Sequence, residues 1–153
     1  MPIDVDIEVR LALEVKKDLE RVARELHGTP VVQAFKDATL LVMRDARIDA
    51  PVDTGRLRSS ITPEVASMGK EVVGIVGSNV AHAPMMELGA KPHFPPISAL
   101  EVWARRHHAD PYLVARAIAR KGLAARKFLQ NAFEKNKTRI IQLIERAVDE
   151  VIK

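Results

Sequence analysis

Ala50-Pro51-Val52-Asp53-Thr54-Gly55-Arg56-Leu57 is the stretch where the chain changes period. Before it, Val31, Phe35, Ala38, Leu41, Val42 and Ala46 recur at three and four residues, the mark of one helix face. Thr29-Pro30 opens that helix with a capping hydroxyl and a first-turn proline, and Pro51 ends it near Ile48 to Ala50. After it, Leu57 to Val65 and Glu71 to Val76 read as two antiparallel strands joined at Ser67-Met68-Gly69-Lys70. Val72, Val73, Ile75 and Val76 are β-branched, which suits a pleated surface better than a helix. Asp53-Thr54-Gly55, between the two periods, is therefore a turn. Pro51 stops the helix, Asp53 and Thr54 are turn formers, and Gly55 supplies a positive φ before the next element.

Upstream, Ile3, Val5, Ile7 and Val9 alternate with Asp4, Asp6, Glu8 and Arg10, so a half-wet strand is expected at the start. Leu11, Val15, Leu19, Val22 and Leu26 then take helical spacing up to a stop at Gly28. Downstream, Ala81 to Gly89 is short and mixed, with Gly89 placed to end a single helical turn. Pro92, Pro95 and Pro96 hold His93 and Phe94 in a stiff extended run. Ser98 opens one helix, Asp110-Pro111 opens a second through Ala119, and Gly122 breaks it. From Phe128 the apolar residues again fall at helical spacing. The order strand, helices, strands, helices predicts an α+β fold, a small antiparallel sheet packed on several helices. One domain over 1–153 is expected, with a strand and two helices in 1–50, strands and a loop in 51–96, and a helical part in 97–153.

Composition narrows the function. Apolar residues make up 47% and charged residues 29%, which is globular rather than disordered. Aromatics are 4%, so the core is aliphatic. The absence of cysteine removes disulfides, thiol nucleophiles, iron–sulfur clusters and cysteine zinc sites. Apolar runs such as Ala38 to Met43 are too short to span a bilayer, and the first residues carry no basic region followed by an apolar stretch, so neither a membrane span nor a signal peptide is expected. The net charge of +4 is uneven: residues 1–50 carry −2, 51–100 carry zero and 101–153 carry +6. A basic end suits phosphate or an acidic protein surface; the plain alternative is a solvated helical face.

Few residues suggest chemistry. Asp53-Thr54-Gly55 is the tripeptide of aspartic proteases, which pair two such aspartates so that one is protonated. One copy would need a dimer, a helix precedes it here rather than a strand, and Arg56 beside it favours an ionised carboxylate. A structural turn at Pro51, Asp53, Thr54 and Gly55 is the stronger reading. His27, His82, His93, His107 and His108 lack the one-face spacing of a helical metal site. The dinucleotide and phosphate-loop glycine motifs are absent, and Ser59, Ser60 and Ser67 are not set in a nucleophile elbow. No catalytic residue, metal or cofactor is expected. Arg105, Arg106, Arg116, Arg120 and Lys121 are candidates for phosphate or acidic-surface contact, with Trp103 and Tyr112 the aromatics nearby. Met85, Met86, Leu88 and Phe94 are apolar anchors in a proline-stiffened segment, Ala81 to Pro96, expected to be partly exposed and to pack on a neighbour. Arg56 and Glu87 flank glycine turns and are expected to pair or to serve one inter-subunit surface.

Three blocks of sequence occur in an order that resembles a known family. The first is Ala50-Pro51-Val52-Asp53-Thr54-Gly55-Arg56-Leu57-Arg58-Ser59-Ser60-Ile61. The second is Val76-Gly77-Ser78 followed by Met86-Glu87-Leu88-Gly89-Ala90. The third is Phe94-Pro95-Pro96 with Trp103, then Ile118-Ala119-Arg120-Lys121-Gly122 and Phe128-Leu129 with Ala132. Together they resemble the Hong Kong 97 phage gene product ten family of minor tail and neck components, over roughly residues 30–135. His82, Leu88 and Ala90 depart from that pattern, where an aromatic, Phe and Thr are usual. The resemblance implies a non-enzymatic virion protein on an α+β fold. It implies a ring, hexameric in related tail-end proteins, at the head–tail junction or tail end, with head-completion and tail proteins as neighbours. It also implies residence in the virion after assembly in the host cytoplasm. The rival readings are a DNA-binding or DNA-channel protein using the basic final third, and the dimeric protease.

Overall fold

The computed structural model describes residues 7–9, 30–68 and 71–153. Strand β1 spans Ile7–Val9, β2 Ile61–Met68 and β3 Glu71–Ser78. Helix α1 spans Pro30–Asp49, α2 Arg56–Ser60, α3 Ala83–Leu88, α4 Ile97–Arg106, α5 Pro111–Lys121 and α6 Phe128–Ile152. The fold class is α+β, as the change of period at Pro51 indicates. The helix read over Leu11 to Leu26, the Gly69-Lys70 link and most of the first strand lie outside the described residues. Contacts along the chain group into two compact units, one of residues 1–81 with 128–153 and one of His82–Lys127.

In the first unit the sheet order is β1-β3-β2, and β3 pairs antiparallel with both neighbours. Ile61 opposes Ser78 at one end of the β2–β3 ladder and Met68 opposes Glu71 at the other. Pro63 falls on β2, an edge strand, where a missing N–H costs no ladder bond on the open side. Helix α1 runs where Pro30 and Pro51 allow, and its stripe Val31, Phe35, Ala38, Val42 and Ala46 is buried. It packs on β2, β3 and α6. Gly74 lets β3 approach α1 closely, since a Cβ there would lie 2.7 Å from Thr39 Cγ2. Helix α6 answers with Leu129, Ala132, Ile140, Ile144 and Ala147, again one stripe. Each large aliphatic side chain so buried contributes about 1.5–3 kcal/mol of transfer free energy.

The strand expected from Leu57 starts later in the chain. Residues 57–60 are not strand but the short helix α2, and β2 begins at Ile61. Gly55, at φ 82°, turns the chain, and Ser59 N–H donates to Gly55 O at 2.9 Å. The Ser59 and Ser60 hydroxyls then donate back to Arg56 O and Leu57 O, at 3.0 and 2.7 Å. Local hydroxyl-to-carbonyl bonds of this kind compete with a sheet ladder. Leu57 is buried by the turn, and the exposed Arg56 and Arg58 stay in water.

Candidate functional site

The turn residues are placed as the sequence indicates. Asp53 and Thr54 are exposed between α1 and α2, Pro51 and Gly55 are half-buried, and Thr54 Oγ1 accepts weakly from Arg56 N–H at 3.4 Å. Gly55 has nothing within 4 Å of where a Cβ would stand, so it is required for its positive φ alone. Arg47, unremarked in sequence, ties α1 to this region: its Nε and Nη2 donate to Ile61 O at 3.1 and 2.7 Å. Ser60 and Ser78 hydroxyls share a bond of 2.7 Å, joining the start of β2 to the end of β3.

A buried carboxylate is the main titratable feature of the first unit. Asp45 is 3% exposed on α1. It accepts from Arg44 Nε at 2.9 Å and from Asn136 Nδ2 of α6 at 2.8 Å, with Lys135 Nζ at 3.5 Å. The Arg44 and Asn136 hydrogen bonds, with the charges of Arg44 and Lys135, outweigh desolvation and hold its carboxyl down to about 2. Asn136 Nδ2 also donates to Ala132 O at 2.8 Å. This cluster is a structural joint between α1 and α6. A gap in the core, lined by Phe35, Val42, Val76, Ile140 and their neighbours, is about 10 Å³ with an apolar accessible surface, the size of one water and no more.

The second unit is built differently. Asp110 caps α5, its Oδ1 accepting from Tyr112 N–H at 2.8 Å and Leu113 N–H at 3.2 Å. Gly122 ends that helix at φ 70° and Gly89 ends α3 at φ 74°. The two glycines form a clasp. Ala90 N–H donates to Leu123 O at 3.0 Å and Leu123 N–H to Ala90 O at 2.8 Å. Arg126 N–H reaches Met86 O at 2.8 Å and Lys127 N–H reaches Glu87 O at 3.1 Å. A Cβ on Gly122 would stand 2.2 Å from Ala90 O, and one on Gly89 2.5 Å from Leu123 O. The expected loop Ala81 to Pro96 is therefore partly regular, with α3 inside it and its backbone held against residues 122–127.

That clasped frame presents apolar side chains outward. Of thirteen exposed large apolar residues among the described ones, eight lie in 82–127. Phe94 and Tyr112 are each 53% exposed and lie with ring centroids 6.2 Å apart. Trp103 stacks on His107 at 4.4 Å. Of the expected anchors, Met85 and Leu88 are exposed and Met86 is half-buried. Glu87 departs from the expectation of a surface contact: it is 1% exposed, because Ala83 and Glu87, four apart, share the buried face of α3. Arg56 is exposed at the start of α2 in the other unit. Arg105, Arg106, Arg116, Arg120 and Lys121 are all exposed. The unit carries eight Lys and Arg against three acids, net +5, while the rest of the chain carries −1. The sequence reading by thirds spread this charge to the C-terminus; the fold concentrates it on one unit.

Among the described residues no group of three or more His, Asp or Glu side chains is placed to hold a metal ion. No described helix is long and apolar enough to cross a membrane. No family model, curated protein or solved structure matches this chain.

Proposed function

We propose that this is a non-enzymatic structural protein of a tailed-phage virion or prophage, a ring subunit at the head–tail junction or tail end that binds adjoining head-completion and tail proteins. The observation that carries the reading is where the three resembling blocks fall. Each sits at a joint: Gly55 between α1 and α2, Ser78 at the end of β3, and Gly89 with Gly122 in the clasp. Stiff joints that display side chains suit a protein whose work is shape.

Light scattering with negative-stain microscopy, together with mass spectrometry of purified particles, tests the reading. Rings of one diameter, or the protein recovered in tailed particles, are expected. A protein that stays monomeric and is missing from particles would overturn it. A peptidase activity abolished by Asp53→Asn would overturn the non-enzyme part. The exposed Arg116 and Arg120, four apart on α5, favour DNA contact as the second reading. It predicts binding to duplex DNA that weakens steeply with salt.

A further inference from the structure

We propose that the His82–Lys127 unit docks on an acidic protein surface bearing apolar pockets, with Phe94 and Tyr112 entering the pockets and Arg116 and Arg120 meeting the carboxylates. The inference rests on the reading above only in taking the protein to act by binding other proteins, and it adds what the partner must look like.

Four observations lead there. Phe94 and Tyr112 form one tilted aromatic pair, half in solvent. Tyr112, Arg116 and Arg120 stand at i, i+4 and i+8 of α5, so Tyr112 and the two guanidinium groups share one helix face, with Phe94 against Tyr112. Aromatic and Arg side chains are the residues that dominate protein interfaces, and Arg meets carboxylates in a bidentate fork. All eight basic residues of the unit are exposed, against two exposed acids, Glu101 and Asp110, the latter capping α5, while Glu87 is buried. Positive charge therefore predominates on the surface of the unit.

Charge also selects among occupants. Two such units at net +5 repel, so the face does not pair with itself, and the rest of the chain at −1 offers no strong acidic complement. A second copy is the poorer fit. Nucleic acid would use the Arg side chains and the rings. It has no use for Met85, Leu88, Val102 and Leu113, which are 40–60% exposed on the same unit. Exposed aliphatic side chains gain from burial in apolar pockets, which a protein partner provides and a phosphate backbone does not. The Gly89–Gly122 clasp holds the segment carrying Phe94 to the rest of the unit, which lowers the ordering cost of docking.

The test uses the full chain and a labelled helical peptide of about 18 residues, Leu on one face and Glu on the other. Comparison probes are the same composition scrambled, poly-L-glutamate, and a duplex of about 20 base pairs. Fluorescence anisotropy is expected to show the amphipathic peptide bound about tenfold or more tighter than each of the others. The double variants Phe94→Ser with Tyr112→Ser, and Arg116→Glu with Arg120→Glu, should each weaken it about tenfold, while Arg139→Glu with Arg146→Glu on α6 changes it less than about twofold. All six positions except Phe94 and Tyr112 are polar already, and those two are half-exposed, so circular dichroism should be unchanged. Three results would overturn the inference. They are duplex binding tighter than peptide binding, equal loss in the α6 control, and self-association in sedimentation that the Phe94 and Tyr112 variant abolishes. Failure of the virion reading would show instead as absent rings and absence from particles, and would leave peptide binding intact.

Discussion

The two units of this chain use the same kinds of residue in opposite ways. In the first unit Phe35 and Phe128 are buried and Phe133 is half-buried, and the charged Asp45 is buried with them on a full set of partners. In the second, Phe94, Trp103 and Tyr112 all face solvent, and what is buried is mostly small, Ala83, Ala104 and Ala115 with Pro95, alongside Glu87 and one large aliphatic, Ile118. The first unit is held by side-chain packing. The second is held largely by backbone, through the Gly89–Gly122 clasp and the Asp110 cap, which leaves its large side chains available. This difference in exposure is the physical basis for placing the proposed contacts in residues 82–127.

The first unit is most vulnerable at Phe35. Phe35→Ala removes a ring packed between α1, β3 and α6 and should destabilise the protein by about 3–5 kcal/mol in urea unfolding. A loss under about 1 kcal/mol would mean the first unit is not held by packing. Gly122→Ala attacks the other mode. It combines a φ of 70° with a Cβ 2.2 Å from Ala90 O, and should destabilise the second unit by about 3 kcal/mol. Hydrogen exchange should then quicken at Ala90, Leu123 and Arg126 while amides of α1 and β3 stay protected. Uniform quickening would show that the units do not differ as argued.

Gly55→Val sharpens the point, because no atom lies near and only backbone strain is added. A loss of about 1–3 kcal/mol is expected. An unchanged melting temperature would remove the requirement for positive φ. The Asp45 cluster predicts a pH effect. Its folded value of about 2 lies below the ordinary 3.8, so its stabilisation is complete above about pH 4 and is lost as pH falls toward 2. The amount is about 1–2 kcal/mol, since Arg44 and Lys135 are themselves 58% and 63% exposed and screened by solvent. Asp45→Asn should flatten that part of the acid-unfolding profile; an identical profile would deny the cluster its role.

Much of this fold was legible in the residues because its boundaries are marked locally. Pro30 and Pro51 bracket α1, Asp110-Pro111 and Gly122 bracket α5, and the β-branched run in 72–76 marks β3. Helix α2 was not, because Leu57 and Ile61, four apart, also fit the strand that follows. The Ser59 and Ser60 hydroxyls were the available signal. The features that join distant residues were beyond any local pattern. Asp45 and Asn136 are 91 residues apart. Gly89 and Gly122 each read as a helix stop, and only the fold shows that each stop is the other's contact. At the candidate site, the basic residues and Phe94 were identifiable from composition. Burial of Glu87 was not, since a lone glutamate in a six-residue helix carries no sign of which way it faces.

The central claim is that the first unit makes the fold and the second makes the contacts. One protein carrying Leu88→Asp and Phe94→Ser tests it, with melting temperature and, on the proposed virion role, incorporation into tailed particles measured on the same preparation. Both side chains are more than half exposed, so the stability change should stay within about 0.5 kcal/mol for each substitution while incorporation is lost. A protein that melts much earlier, or one that enters particles as the parent chain does, would contradict the account.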